Sequence, residues 1–350
     1  MFFNHEWSSA TINELISRYG IHWMIHDNQI LFTQHGRKQS RNLVKDQMLH
    51  IGFTSGTTGL PKAYYRNEQS WIVSYEENEK LLKHETEVFI APGSLSHSLS
   101  LYACIYALFI GRTFIRQKVF NVNRLIDLIN EIVLTTSLFV VPTMLHQFIV
   151  QKGYTHSIKS IFSSGAKLSQ DQFQKVTSLY PNTDLIEFFG TSEASFISYN
   201  FNQTAPIQSV GKLFSNVDIR LLDSHPNGFG LSSVRSNMTF SGYVNSEYDT
   251  EGWIETGDYA YIQHRNLFLV GRKSDRIIVG GVNVYPSEIE RLIMNIEGVK
   301  EAIVIEEPHH KFGEISVLLY TGDKESDYFM VKRYLIQHLS RYEVPSKFKK

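Results

Sequence analysis

One segment narrows the architectures open to this chain more than any other: Phe53-Thr54-Ser55-Gly56-Thr57-Thr58-Gly59-Leu60-Pro61-Lys62. It gathers hydroxyls and glycines into a short loop closed by a lysine. Glycines let backbone N–H groups converge on phosphate oxygens, hydroxyls add donors that can turn, and a lysine ammonium offsets the charge of an outer phosphate. The usual P-loop of nucleotide triphosphatases needs Gly-Lys adjacent with Ser or Thr next, whereas Lys62 follows Pro61 and precedes Ala63. On composition alone such a run equally marks a solvated turn. Its position argues otherwise, because Met48-Leu49-His50-Ile51-Gly52-Phe53 reads as a strand, and open α/β sheets place ligands at strand ends.

Strand and helix patterns alternate downstream of this loop. Asn121 to Val133 carries Leu125, Leu128, Ile129 and Ile132 at helical spacing behind an Asn123 cap. Strands are expected at Ser137–Val141, Ser160–Phe162 and Asp184–Phe188, each running into turn residues. From about residue 210 the texture becomes β-rich, with Val217–Leu222 alternating and turns at Pro226-Asn227-Gly228 and Ser241-Gly242. Beyond Gly271-Arg272 come Arg276–Val279, Gly280-Gly281, a helix opened by Pro286, strands at 301–306 and 315–320, and a helix from about Tyr328. This order predicts an α/β chain: a large domain over 1–271 with a β-rich subdomain from about 210, a hinge at 272–276, and a small α+β domain over 277–350.

With 350 residues, 42% of them hydrophobic, the chain can bury a sizeable core. A formal net charge of -1 with no basic stripe gives no reason to expect nucleic acid as a partner. The one cysteine, Cys104, lies in the apolar run from Leu99 to Ile110 and reads as a small buried thiol. No apolar stretch has the length of a membrane span and the start lacks a basic flank, so the expectation is a cytoplasmic protein without integral membrane association.

Further motifs follow the loop in order: Ser163-Ser164-Gly165-Ala166-Lys167, Phe189-Gly190-Thr191-Ser192-Glu193, Gly252-Trp253-Ile254-Glu255-Thr256-Gly257-Asp258, Gly271-Arg272-Lys273-Ser274-Asp275, and Gly280-Gly281 leading to Pro286-Ser287-Glu288. In that order and spacing the chain resembles the adenylate-forming enzymes, the family of acyl-CoA synthetases, luciferases and peptide-synthetase adenylation domains, and most closely the acid:CoA ligases. The resemblance implies the adenylate-forming fold, with ATP, Mg2+ and coenzyme A as cofactor and co-substrates and a fatty or aromatic carboxylic acid as the small-molecule substrate.

The same resemblance supplies site residues. Thr54, Ser55, Gly56, Thr57, Thr58, Gly59 and Lys62 would hold phosphates, with Ser192 beside them and Glu193 on Mg2+. Phe189 stands where the family usually has Tyr and can stack on adenine, with Phe188, Gly190, Ser164, Gly165 and Ala166 around the nucleotide. Asp258 would take the ribose hydroxyls with Arg272 beside it, and Gly280 and Gly281 would approach the nucleotide from the small domain. His97 falls where acid:CoA ligases carry a His or aromatic near the carboxylate. Its segment lacks the aspartate that would pair a substrate ammonium, which disfavours an amino acid. The neighbouring Leu99-Ser100-Leu101-Tyr102 and the aromatics Phe188, Phe189 and Phe196 are candidates to line an apolar acid pocket, although an ordinary core has the same composition.

Three departures from the family pattern accompany the match. Ser274 occupies the hinge position where relatives have Asp or Lys, the phosphate loop begins early, and the sequence ends soon after Tyr342-Glu343-Val344-Pro345, before the lysine that relatives use in adenylation. Two alternatives to an acid:CoA ligase therefore stay open: a non-catalytic protein that binds ATP or an acyl-adenylate, and an adenylating enzyme that delivers the acyl group to a carrier protein.

Overall fold

The structure is a computed structural model that describes residues 1, 3–4, 6–26, 29–33, 48–54, 60–223, 228–244, 252–323 and 327–349. The phosphate-loop residues Ser55, Gly56, Thr57, Thr58 and Gly59 lie outside the described residues. Two compact units make up the chain, one comprising Met1–Asp218 with Arg235–Ile254 and the other Ile219–Val234 with Glu255–Lys350.

In the first unit, parallel strands are ordered Thr113–Ile115, Val88–Ile90, Thr136–Val140, Ile158–Ser164, Asp184–Thr191. The antiparallel strands Ser195–Phe201 and Lys212–Leu213 extend this order. Strand Thr136–Val140 is buried along its whole length, as a parallel strand covered on both faces should be. The helices between these strands bury apolar stripes. Leu125 and Ile129 of helix Val122–Ile132 join Leu145, Phe148, Leu138 and Ile161 in one core. That helix is capped by Asn121, whose side chain accepts from the Arg124 N–H at 3.0 Å, and not by Asn123, which lies inside the first turn. The cap falls where the backbone is still extended, and Asn121 is the residue in that conformation.

A second, antiparallel sheet of the first unit orders Gly242–Tyr243, Lys62–Asn67 and Met48–Thr54. Its register sets Thr54 opposite Lys62, so the two ends of the phosphate loop are pinned across a ladder. His50 is buried in this sheet against Trp71, at 4.5 Å between ring centroids, and neither ring nitrogen has a hydrogen-bond partner. Burial, helped by the nearby Arg66 charge, pulls the imidazole down to about 3, so it stays neutral in the folded chain.

The connection between strands Asp184–Thr191 and Ser195–Phe201 is only Ser192-Glu193-Ala194. It closes with Ser195 in the left-handed region at φ 64°, and the Ala194 N–H donates to Thr191 Oγ1 at 3.0 Å. Short hairpin connections often finish with one left-handed residue. A Cβ on Gly190 would collide with the Ser195 carbonyl across the ladder, so the missing side chain here is demanded by the neighbouring strand.

In the second unit, strand Ile254–Gln263 pairs antiparallel with Asn266–Arg272. A smaller sheet runs Val282–Val284, Ile277–Val279, Gly313–Gly322, Val299–His309, with Lys347–Lys349 parallel to Gly313–Gly322. Helices Pro286–Ile293 and Tyr328–His338 supply Ile289, Ile293, Val331 and Leu335 to its core. Gly280 and Gly281, at φ 58° and 86°, form the two-residue turn between Val279 and Val282. That turn requires positive φ at both positions, so the hairpin itself accounts for the pair. Residues 272–276 lie inside this unit, and their use as a pivot is a proposal about motion.

Two outcomes follow from this packing. An imidazole protonated in the unfolded chain below its ordinary 6.5 but neutral in the folded one makes stability rise with pH between about 3 and 6.5. Between pH 7 and pH 5 the wild type should therefore lose about 2 kcal/mol more than His50→Phe, read from urea midpoints; equal slopes would refute the assignment. Gly190→Ala should cost about 1–3 kcal/mol, and an unchanged denaturation midpoint would contradict the close approach of Ser195.

Candidate active site

Ligands collect at the carboxyl ends of parallel strands because helix N-termini and chain reversals gather there. A cavity of about 290 Å³ occupies this position in the first unit. The segment after Val88–Ile90 gives it His97, Ser98 and Leu99, the end of Thr136–Val140 gives Val141, the end of Ile158–Ser164 gives Ser164 and Gly165, and the end of Asp184–Thr191 gives Gly190, Thr191 and Ser192. Tyr64, Arg66, Trp71, Tyr102, Ser195 and Phe196 complete the wall. Of the residues expected at a site, the cavity thus brings together His97, Ser164, Gly165, Gly190 and Ser192, with Leu99, Tyr102 and Phe196 as apolar lining.

His97 precedes helix Ser98–Phe109 without capping it, which leaves the ring exposed on the cavity rim. Ser164 Oγ donates to the Phe188 carbonyl at 3.2 Å, tying neighbouring strand ends. Ala166 is exposed beyond them. Phe189 is half-buried, while the Phe188 ring lies in the core, stacked on Phe162 at 5.6 Å and 4.4 Å from Phe196. Alternation along a strand explains the split, since neighbours face opposite sides.

Glu193 sits at the tip of its connection. Its Oε1 accepts from the Tyr243 hydroxyl at 2.7 Å and its carbonyl accepts from the Phe240 N–H at 2.7 Å. Lys62 Nζ lies 5.9 Å from the Tyr243 ring centroid, so this one ring lies beside both the candidate phosphate lysine and the candidate metal carboxylate. No group of three or more His, Cys, Asp or Glu is placed to hold a metal among the described residues. A single carboxylate still fits Mg2+, which keeps water and phosphate oxygens as its other ligands.

Sequence reasoning missed Arg66 and Tyr243. Arg66 is 2% exposed and its guanidinium donates to the backbone carbonyls of Met238 and Ser192, with Nε left without a partner. Burial pulls it down to about 10, still charged at neutral pH. The available signal was a single cation in the otherwise uncharged, aromatic stretch Ala63-Tyr64-Tyr65-Arg66.

In the second unit, Asp258 and Arg272 face each other across the ladder, and Arg272 Nε donates to Asp258 Oδ1 at 3.2 Å. The Asp258 side chain is 4% exposed, while that of Arg272 is 64% exposed. Asp258 Oδ2 is buried with no hydrogen-bond partner. Burial pushes this carboxyl up and Arg272 opposes the rise. An acceptor oxygen without a donor is the capacity a sugar hydroxyl would use. Ser274 donates to Asp275 Oδ1 at 2.6 Å in the turn Lys273–Asp275. No described helix is long and apolar enough to cross a membrane.

Comparison with known proteins bears on this arrangement. Residues 9–244 match the model of the AMP-binding enzyme family. VraA of Staphylococcus epidermidis, provisionally named a long chain fatty acid-CoA ligase, is 58% identical over 348 residues, covering 99% of this chain and 77% of that protein. The uncharacterized acyl-CoA ligase YhfT of Bacillus subtilis is 33% identical over 85% of this chain and 64% of its own length. Among solved structures, the O-succinylbenzoate coenzyme A synthetase MenE of Bacillus subtilis, in complex with ATP and magnesium ion, superposes with a TM-score of 0.69 at 24% identity, covering 85% of this chain and 65% of that one. The fold is that of the adenylate-forming enzymes, as the ordered motifs led one to expect, and the chain belongs to the AMP-binding enzyme family.

Proposed function

We propose that this chain is an ATP-dependent acid:CoA ligase that activates a carboxylic acid as its acyl-adenylate and passes the acyl group to coenzyme A. The observation that carries the reading is the cavity at the strand ends, where His97, Ser164, Gly165, Gly190 and Ser192 meet apolar walls from Leu99, Tyr102 and Phe196. Such a cavity suits an acid with a polar head and an apolar body. The kinship with a protein named as a long chain fatty acid-CoA ligase supports the same choice. An aromatic acid is the other candidate, favoured by the Trp71, Tyr102 and Phe196 rings in the wall.

In the first half-reaction a carboxylate oxygen bonds to the α-phosphorus of ATP and the bond to pyrophosphate breaks. Lys62, Ser192 and the loop between Thr54 and Lys62 stabilise the charge on the phosphate oxygens, and the backbone pins Thr54 opposite Lys62 to do so. Glu193 would hold Mg2+, which supplies further charge neutralisation on phosphate oxygens when bound. Asp258 accepts ribose hydroxyls, Arg272 orients that carboxylate, and Phe189 stacks on the base. In the second half-reaction the CoA sulfur bonds to the acyl carbon and AMP departs with the electron pair of the broken C–O bond. His97, on the cavity rim, contacts the reacting carboxyl. Motion about Ser274 in the 272–276 segment separates the two steps. We place this chemistry in the cytoplasm, with CoA as acceptor in preference to a carrier protein.

Pyrophosphate release over a panel of fatty and aromatic acids, with and without CoA, tests the reading. The expected result is acid-dependent release accompanied by thioester formation. Thioester on a carrier protein but not on CoA would move the acceptor, and nucleotide binding with no release for any acid would defeat the ligase assignment. Lys62→Ala should slow release about tenfold or more, and Asp258→Ala should weaken ATP binding by a similar factor. Full ATP affinity in Asp258→Ala would remove the ribose assignment.

A further inference from the structure

The turn carrying Ser192 and Glu193 is held by two side chains that no motif singled out. Arg66 reaches it from the strand Lys62–Asn67 and donates to the Ser192 carbonyl, while its second bond fixes the Met238 carbonyl on the segment leading to Gly242–Tyr243. From that segment the Phe240 N–H returns to the Glu193 carbonyl at 2.7 Å, and the Tyr243 hydroxyl meets Glu193 Oε1 at 2.7 Å. A carboxylate on a short hairpin tip has free rotation about its own side chain. Here the hydrogen bond from the phenol to Oε1 restrains that rotation. The ladder places Tyr243 opposite Tyr64, so the same strand pair that ends in Lys62 also delivers the phenol.

We propose that Tyr243 and Arg66 are positioning residues for the Glu193 carboxylate: the phenol orients its oxygens and the buried guanidinium fixes the backbone that carries it. Resting on the reading of Glu193 as the Mg2+ ligand, the proposal makes the clamp a determinant of metal affinity. Outer groups that hydrogen-bond a metal ligand typically contribute about 10–100-fold to affinity or activity. Losing Arg66 would leave the turn without its anchor.

Tyr243→Phe isolates the hydroxyl, because the ring beside Lys62 is kept. We expect the Mg2+ concentration for half-maximal pyrophosphate release to rise about tenfold with the KM for the acid unchanged. Mn2+ binding in the presence of ATP, followed by electron paramagnetic resonance, should weaken by a similar factor. Arg66→Lys keeps the charge but supplies fewer directed bonds, and should show an intermediate metal affinity between wild type and Arg66→Met. If the Arg66 variants do not fold, Tyr243→Phe decides alone. A lowered thermal midpoint in Tyr243→Phe with unchanged Mg2+ dependence and unchanged Mn2+ binding would reduce the phenol to a structural contact and overturn the proposal. The binding measurement does not need turnover. A wild type that binds Mn2+ with ATP but releases no pyrophosphate would end the ligase reading while the Tyr243→Phe titration still judges the clamp, and a wild type with no metal binding at Glu193→Gln-sensitive sites would overturn the clamp itself.

Discussion

A buried guanidinium bonded to two backbone carbonyls is the interaction on which the first unit's site depends. Arg66 is almost wholly removed from water, and a charge in that setting is tolerable only if its donors find acceptors. Its two terminal nitrogens find them on the Met238 and Ser192 carbonyls, far apart in sequence, while Nε has none, and so Arg66 ties a strand, a hairpin tip and the approach to a third strand at one point. Hydrogen bonds to charged groups contribute about 1.5–3 kcal/mol each, enough to decide the position of a short connection that has little core of its own. The same arrangement keeps a positive charge in the wall of the cavity at the strand ends.

The parallel strands set the site's location, and this much could be read from residue order. Short apolar runs ending in Pro142, Gly165 and Gly190 forecast strands whose carboxyl ends carry the chain reversals, and those ends are where the cavity opens. Strand and helix positions beyond residue 270 were equally accessible, because Pro286 opens a helix and Ile289 and Ile293 keep helical spacing. The precise cap at Asn121 was not, since two asparagines within three positions both satisfy the pattern and only backbone conformation separates them.

Other residues were hidden for physical reasons. The family resemblance gives Phe189 the stack and Phe188 a place around the nucleotide, and the pleat of the strand puts the Phe188 ring in the core while Phe189 is half-buried. Gly190 reads as a ligand-approach glycine, yet its nearest obstruction is the Ser195 carbonyl of the partner strand. Gly280 and Gly281 are required by a two-residue turn whatever else they touch. Arg66 and Tyr243 act through long-range contacts, with partners 126 and 50 positions away, and a local motif carries no trace of such pairs.

Asp258 is a buried carboxylate with one oxygen unsatisfied, at some cost to the fold. Its Oδ1 is satisfied by Arg272, its own N–H by Thr256 Oγ1 at 3.1 Å, and its carbonyl by Ser232 Oγ at 2.9 Å. One oxygen remains without a donor, and burial raises the free energy of its charged form. Because Asp258 is raised, its folded form holds a proton to higher pH than its unfolded form, and the ionised group costs stability at neutral pH. A group that only served the fold would gain from a second donor, and Arg272, with most of its side chain in solvent, supplies a single bond. An acceptor left open beside an exposed cation is what a hydroxyl donor can complete, and the ribose contact we propose draws on that feature of the ladder as well as on the aspartate's place in a motif.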